Sequence, residues 1–464
     1  MSKLAKQEYI EGYCVAGTTS YSFTPTVTGG NYDTITVYPD ANGYWRWNVP
    51  KNYPIYSMRA CFTSISQSES DKIVSVKFHW NLTKGGDILC LYLFGSSQVS
   101  YACTNLRKVE GINFKVSNLA YAFSGCTSLE EVHIIDLVQP TDTYIVEATR
   151  CFSECTNLTH IYGLENTSLS RVSLSYAFYY CENLEEIKLG NWVIVNLSRF
   201  CQYCRNLHFL KRNGTSVAIQ QDGYVNLAFS ECFVLEDVDE LFSRSNCDIK
   251  CQYISSMFNQ CHKLKSVNLS GITCQSNATV NSIFIQCRNL EDVVMPDLSA
   301  LSNVSTSLSS IFRECYSLKL NTLNCPDLSL ISASRADYIY STSSYSNLSN
   351  WEDETGKTAF INITHISIPT IPSGTNVSGF CSYARYVTDV ISCGDISESM
   401  TFANNPLNLA SAILILQHLQ DVTSYGGKTL IFSSTTKGYI NNDQVALALV
   451  ANAVNNLGWT IALT

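Results

Sequence analysis

The chain has 464 residues, a formal net charge of −9, charged side chains at 15% and aromatics at 11%. That balance excludes a disordered tail and a basic nucleic-acid binder, and no apolar run approaches the ~18 residues of a membrane span. The length suggests about three domains at ~150 residues each, while 20 cysteines are too few for a small disulfide scaffold and need another explanation.

In chain order, Met1 to Glu8 lead into no apolar core and no small-residue cleavage site, so a secretory signal peptide is not expected. The Asn-x-Ser/Thr sequons, Asn81, Asn157 and Asn268 among them, then read as by-products of Asn- and Ser-rich turns. Over residues 8–50, Tyr21, Phe23 and Val27 alternate with polar residues, and Ile35 and Val37 do so again. Asp40-Ala41-Asn42-Gly43 signals a hairpin into Tyr44-Trp45-Arg46-Trp47. Residues 1–54 are therefore expected to form an antiparallel β module that caps or attaches the rest.

An internal repeat follows, on the pattern Phe-x-x-Cys-x-x-Leu-x-x-aliphatic. It occurs at Phe123/Cys126/Leu129/Val132, Phe152/Cys155/Leu158/Ile161 and Phe178/Cys181/Leu184/Ile187. It returns at Phe229/Cys232/Leu235/Val238, Phe258/Cys261/Leu264/Val267 and Phe284/Cys287/Leu290/Val293. Phe312/Cys315/Leu318 ends on Asn321, while Cys103 has Ser100 and Cys204 has Cys201 in the aromatic slot. From Cys103 to Cys315 the eight intervals span 212 residues, a mean of 26.5. A fixed period of this size means a solenoid, because one short strand cannot bury its apolar face until its neighbours stack on it. In Leu129-Glu130-Glu131-Val132-His133-Ile134, alternation sends Val132 and Ile134 inward and Glu131 and His133 outward. The stretch before each cysteine, such as Leu119 to Phe123, can form a helical turn, with the small thiol suited to the crowded inside of the coil.

Segments such as Ala122-Phe123-Ser124-Gly125-Cys126-Thr127-Ser128-Leu129 and Ala177 to Leu184 resemble BspA-like leucine-rich repeats. The resemblance covers residues 90–325, and 55–406 if degenerate coils at Met58 to Phe62 and Val377 to Val387 count. Residues 327–370, rich in Ser and Tyr, read as a degenerate coil with an inserted loop. The resemblance implies an α/β repeat fold, a leucine-rich-repeat solenoid between the N-terminal module and a C-terminal cap, and a role in adhesion or recognition at microbial surfaces.

The cap is expected over residues 407–464. Leu409, Ile413, Leu416 and Leu419 make one helix face, and Leu430-Ile431-Phe432 a strand. Asn442 or Asp443 caps a second helix that buries Ala446, Leu449, Ala453 and Leu457, before Gly458 and a closing strand from Trp459.

No constellation argues for catalysis, a metal or a cofactor. Cys201-x-x-Cys204, with Cys151 and Cys155 near, invites a zinc or redox reading, but these are repeat positions without a second pair or a histidine cluster. The nine cysteines Cys103, Cys126, Cys155, Cys181, Cys204, Cys232, Cys261, Cys287 and Cys315 read instead as a structural ladder of free thiols. Gly356-Lys357-Thr358 and Gly427-Lys428-Thr429 lack the upstream glycine of a phosphate loop and read as turns.

The outward strand positions carry the candidate binding face: Lys108, Glu131, His133, His160, Tyr162, Glu186, Lys188, Phe209, Asp237, Ser266 and Asp292. Its mixture of acids and aromatics disfavours anionic partners such as nucleic acid. No constellation points to an enzyme, and similarity to BspA-like chains found among structural proteins of tailed phages of gut bacteria implies a virion fibre or decoration protein. It would be attached to other virion proteins through the N-terminal module and would bind host surface protein or glycan through the solenoid. A bacterial cell-surface adhesin whose export signal is not part of this chain is the alternative, and homo-oligomerisation is left open.

Overall fold

The computed structural model describes residues 7–298 apart from 28–29, 64–65, 84–87, 98–100, 214–218 and 239–240, then 311–312, 315 and 317, and 365–463 apart from 369, 376, 378–379 and 381–386. The 327–370 insertion lies outside the described residues except at its last positions. Two compact units form, residues 1–221 with 228–241, and residues 222–227 with 242–464.

The fold is a leucine-rich-repeat solenoid, mostly strand, with its longer helices gathered toward the C-terminus. Because every coil runs the same way, coil strands pair in parallel. In the first unit Ile73–His79, Lys108–Lys115, Glu131–Val138 and His160–Tyr162 lie side by side, and Glu186–Leu189 pairs with Phe209–Arg212. A second row of strands includes Val146–Glu147, Arg171–Ser173 and Val193–Asn196. In the second unit Ser266–Asn268 pairs with Asp292–Val294, and Cys247–Tyr253 with Ile272–Thr279.

Each motif position stacks on its equivalent. Phe123 and Phe152 lie face to face with centroids 4.9 Å apart, Phe152 and Phe178 at 5.4 Å, and Phe284 and Phe312 at 5.6 Å. The repeat leucines Leu106, Leu129, Leu158, Leu184, Leu207, Leu235, Leu264 and Leu290 are fully buried. Where Cys201 replaces the aromatic, Phe200 enters the column edge-on between Phe178 and Phe229, at 5.3 and 6.1 Å.

The thiols do more than fill space. Cys126 donates its S–H to the carbonyl of Phe94, which stacks between Phe62 and Phe123 and so fills the aromatic slot of the Cys103 coil in place of the expected Ser100. Cys155 donates likewise to Phe123, Cys181 to Phe152, Cys204 to Phe178 and Cys232 to Cys201, each one coil back. Cys287 to Phe258 and Cys315 to Phe284, both 2.9 Å, repeat the bond in the second unit. The same carbonyl accepts the N–H of its own coil's cysteine, so the motif's Phe and Cys are joined both within and between coils.

The segment before each cysteine is not the expected helical turn. Counting back from the cysteine, the fifth and first preceding residues hold left-handed backbone: Tyr121 and Gly125, Arg150 and Glu154, Tyr176 and Tyr180, Ser256 and Gln260. That conformation frees the N–H groups from their own chain. Tyr121, Phe123 and Gly125 donate to Thr149, Cys151 and Ser153 of the next coil at 3.0, 2.8 and 2.8 Å. An α-helical turn would spend those donors inside one coil. The successive turns found here bond alternate donors, Ala122 and Ser124, within the coil and leave Tyr121, Phe123 and Gly125 to bond between coils, which is what stacking requires.

Near the N-terminus, Tyr9–Cys14 pairs antiparallel with both Tyr44–Asn48 and Ile73–His79, so the first strands share a sheet with the coil strands. The Asp40 turn forms, its carboxylate accepting from Asn42 and Tyr44. The strands flanking it do not pair as the hairpin reading expects: Ile35–Val37 pairs with Tyr21–Phe23, and Tyr44–Asn48 with Tyr9–Cys14.

At the other end Met400–Phe402, Lys428–Phe432 and Trp459–Leu463 form a parallel sheet with helices Leu409–Gln417, Ser434–Asn441 and Gln444–Asn456. The first of these buries Ser411, Ala412, Ile415 and Leu416, a face turned from the expected Leu409/Ile413 one. With nearly every residue apolar, the sequence carries no phase there. Asp443 caps the last helix through Ala446 N–H at 2.8 Å, and Ala446 and Ala453 are buried as expected, with Leu449 and Leu457 only half-buried. The middle helix, capped by Ser433, was not anticipated. Lys428 of the second GKT triplet opens a strand and grips Glu398 with both carboxylate oxygens within 2.9 Å.

Candidate binding face

Parallel pairing one coil apart turns one sequence position into a row across the sheet. Ser75, Lys108, Glu131 and His160 are successive partners, and so are Glu186, Phe209 and Asp237. Lys77 pairs with Glu110, His133 with Tyr162, and Lys188 with Lys211. The intervening residues Val76, Val109, Val132 and Ile187 are buried, which leaves these rows facing solvent.

Within the first unit, Lys108, Glu131, His133, His160 and Tyr162 form one cluster. Lys108 Nζ lies 3.2 Å and His133 Nε2 3.1 Å from Glu131. The His133 and Tyr162 rings are 4.4 Å apart, and His160 stacks on Tyr162 at 5.5 Å. Glu186, Lys188 and Phe209 make a second group with Lys211, whose ammonium is 2.9 Å from Glu186 and 5.2 Å from the Phe209 ring. Tyr162 and Phe209 are 44% and 37% exposed, high values for such large apolar rings on a strand. Asp292 lies in the second unit, opposite Ser266.

The acids of both groups are paired with bases. Hydrogen bonds from His133 and Lys108 hold the Glu131 carboxyl below the usual carboxylate range, and those from Lys188 and Lys211 do the same for Glu186. Both acids are ionised at neutral pH and already partnered. The Tyr162 and Phe209 rings add exposed aromatic surface beside these ion pairs.

The repeat pattern misses the part of the face that the N-terminal strands supply. Glu11 pairs with Lys77 on one side and Arg46 on the other, and Arg46 covers the Tyr9 ring at 3.5 Å. Tyr9 stacks on His79 at 4.1 Å, and His79 reaches Glu11 at 2.9 Å. Alternation at Glu11/Tyr13 and Lys77/His79 was the available signal. Glu110 was also missed. It sits at a bulge closed by Gly111, whose φ of 76° and contact with the Phe78 carbonyl leave no room for a side chain.

Among the described residues no group of His, Cys, Asp and Glu side chains is placed to hold a metal ion, and no helix is long and apolar enough to cross a membrane. An interior cavity of about 40 Å³ in the first unit is lined by apolar side chains, among them Phe152, Leu164 and Trp192.

Residues 96–233 match the family model described as the BspA type leucine rich repeat region, in six copies. This stretch contains the six repeat cysteines from Cys103 to Cys232. A comparison with curated protein sequences finds no match. Among solved structures, the chain is similar to a leucine rich cell surface protein from Faecalibacterium prausnitzii A2-165, at 18% identity and a TM-score of 0.28, over 70% of this chain and 91% of that one. It is also similar to chains of the TLR13–ssRNA13 complex, at 14% identity, and of the Drosophila Toll–Spatzle complex, at 12%, each with a TM-score of 0.23. These matches cover 78% and 81% of this chain and 51% and 53% of the others, so the chain spans about half their length.

Proposed function

We propose that this leucine-rich-repeat protein is a non-enzymatic recognition protein whose outward sheet face takes a host surface protein or glycan. The exposed His133/His160/Tyr162 cluster, with Phe209 beyond it, carries the reading. Flat aromatic surface beside ion-paired side chains suits ligands recognised by stacking and shape. It does not suit polyanions, which need unpaired basic groups. Our preferred setting is the virion of a tailed phage, with the N-terminal strands toward the particle. A bacterial cell surface is the alternative, and the repeat fold suits both equally.

Binding of the fluorescent full chain to whole gut-bacterial cells and to a glycan array tests the face. Tyr162→Ala/Phe209→Ala should weaken binding at least tenfold, and unchanged binding would remove the face from consideration. Mass spectrometry of purified virions against bacterial surface fractions separates the two settings.

A further inference from the structure

The last helix of the cap, Gln444–Asn456, carries no charged residue. A helix that meets water on one side ordinarily places Lys and Glu there. This one buries Ala446 and Ala453; its exposed side carries the amides Gln444, Asn452, Asn455 and Asn456 together with Val445, Leu447, Ala451 and Val454, with Val445 57% and Val454 47% exposed. Leu447, Ala451 and Val454 are spaced i, i+4, i+7, a stripe along one side of the helix, and alanines at 448 and 451 allow close approach.

A second, separate feature lies beside it. The strand Trp459–Leu463 that follows the helix is at the edge of its three-stranded sheet among the described residues, paired in unbroken register with Lys428–Phe432. Edge strands of soluble proteins are ordinarily blunted by lysine, proline, a bulge or extreme shortness. Trp-Thr-Ile-Ala-Leu has no charge, no proline and no bulge.

We infer that the C-terminal cap is a self-association surface, its occupant a second copy of this chain. An antiparallel pairing of Trp459–Leu463 with its own copy extends the sheet from three strands to six. The two-fold axis of that pairing brings together the two Gln444–Asn456 helices, since each packs on its own edge strand. The charge distribution selects the occupant. A chain of net charge −9 repels its copy over most of its surface, but the uncharged helix and strand meet themselves without burying a charge. A two-fold interface needs this kind of self-complementarity.

Sedimentation velocity of the full chain from 1 to 100 µM is the test. The wild type should shift with concentration toward twice its 51.6 kDa chain mass. Leu447→Glu/Val454→Glu, at exposed positions, should weaken association at least tenfold with an unchanged circular dichroism spectrum. Should that variant not fold, Ala451→Arg is read in the same way. A wild type that stays monomeric at 100 µM, or a folded variant that associates as tightly as wild type, overturns the inference.

Discussion

The thiol of Cys155 donates to the carbonyl oxygen of Phe123, 3.1 Å away in the preceding coil, and that oxygen also accepts the N–H of Cys126 at 3.1 Å. A position that looks like a small apolar filler is thus a donor that ties neighbouring coils. Cys155→Ala removes the donor, leaves the second lone pair unmet and opens a small void. We expect a loss of about 1–2 kcal/mol in unfolding free energy by urea titration. No loss would mean that the bond contributes nothing.

The same thiols should be chemically silent. Burial pushes Cys126, Cys155 and Cys181 far above the ordinary thiol range, and pushes even half-buried Cys393 up to about 12. The thiolate is the reactive form. At pH 8, iodoacetamide should leave peptides holding these cysteines unmodified in native protein and alkylate them in urea, as read by mass spectrometry. Rapid native labelling would contradict the packing described.

Cys201 separates sequence logic from structural logic. Restoring the consensus with Cys201→Phe looks stabilising on the repeat pattern alone. Phe200 already occupies the column between Phe178 and Phe229, and Cys201 is fully buried. A second ring there overpacks the coil, so the expected effect is a loss of about 1–3 kcal/mol, seen as a lowered melting temperature.

Gln260 holds a left-handed φ of 63°, a conformation that costs most side chains about 1–2 kcal/mol. Its N–H donates to Ile285 at 2.7 Å, which keeps it there. Gln260→Gly relieves the strain and should leave stability unchanged or raised, while β-branched Gln260→Val should lower it by about 1 kcal/mol or more. Equal effects from both variants would remove the role assigned to the turn.

Glu398 supplies a pH dependence. Burial raises its pKa, but hydrogen bonds from Lys428 and the Gly374 N–H, with the Lys428 charge, outweigh that and hold it below the usual carboxylate range. A carboxyl depressed in the folded state stabilises above its unfolded pKa, and the contribution disappears as pH falls through the folded one. Glu398→Gln should therefore cost about 1–3 kcal/mol at pH 7. The difference from wild type should shrink as pH falls below the usual carboxylate range, measured by urea titration at each pH.

The repeat and its outward rows were legible in the sequence because each residue meets its own equivalent one coil away. Period alone then determines which residues share a column: Phe with Phe, thiol beneath carbonyl, His133 beside Tyr162. Alternation after each leucine likewise marked which side chains face out. Tertiary structure decided what has no period. The left-handed turns at Tyr121 or Gln260 carry no glycine signature, because three hydrogen bonds to the next coil outweigh the local preference. The antiparallel addition of Tyr9–Cys14 put Glu11 and Arg46 on the face through pairing to a distant strand. Phe200 took over its column because an adjacent ring could reach the gap. In the cap, uniformly apolar helices left their buried sides to be chosen by the sheet and helices they pack against.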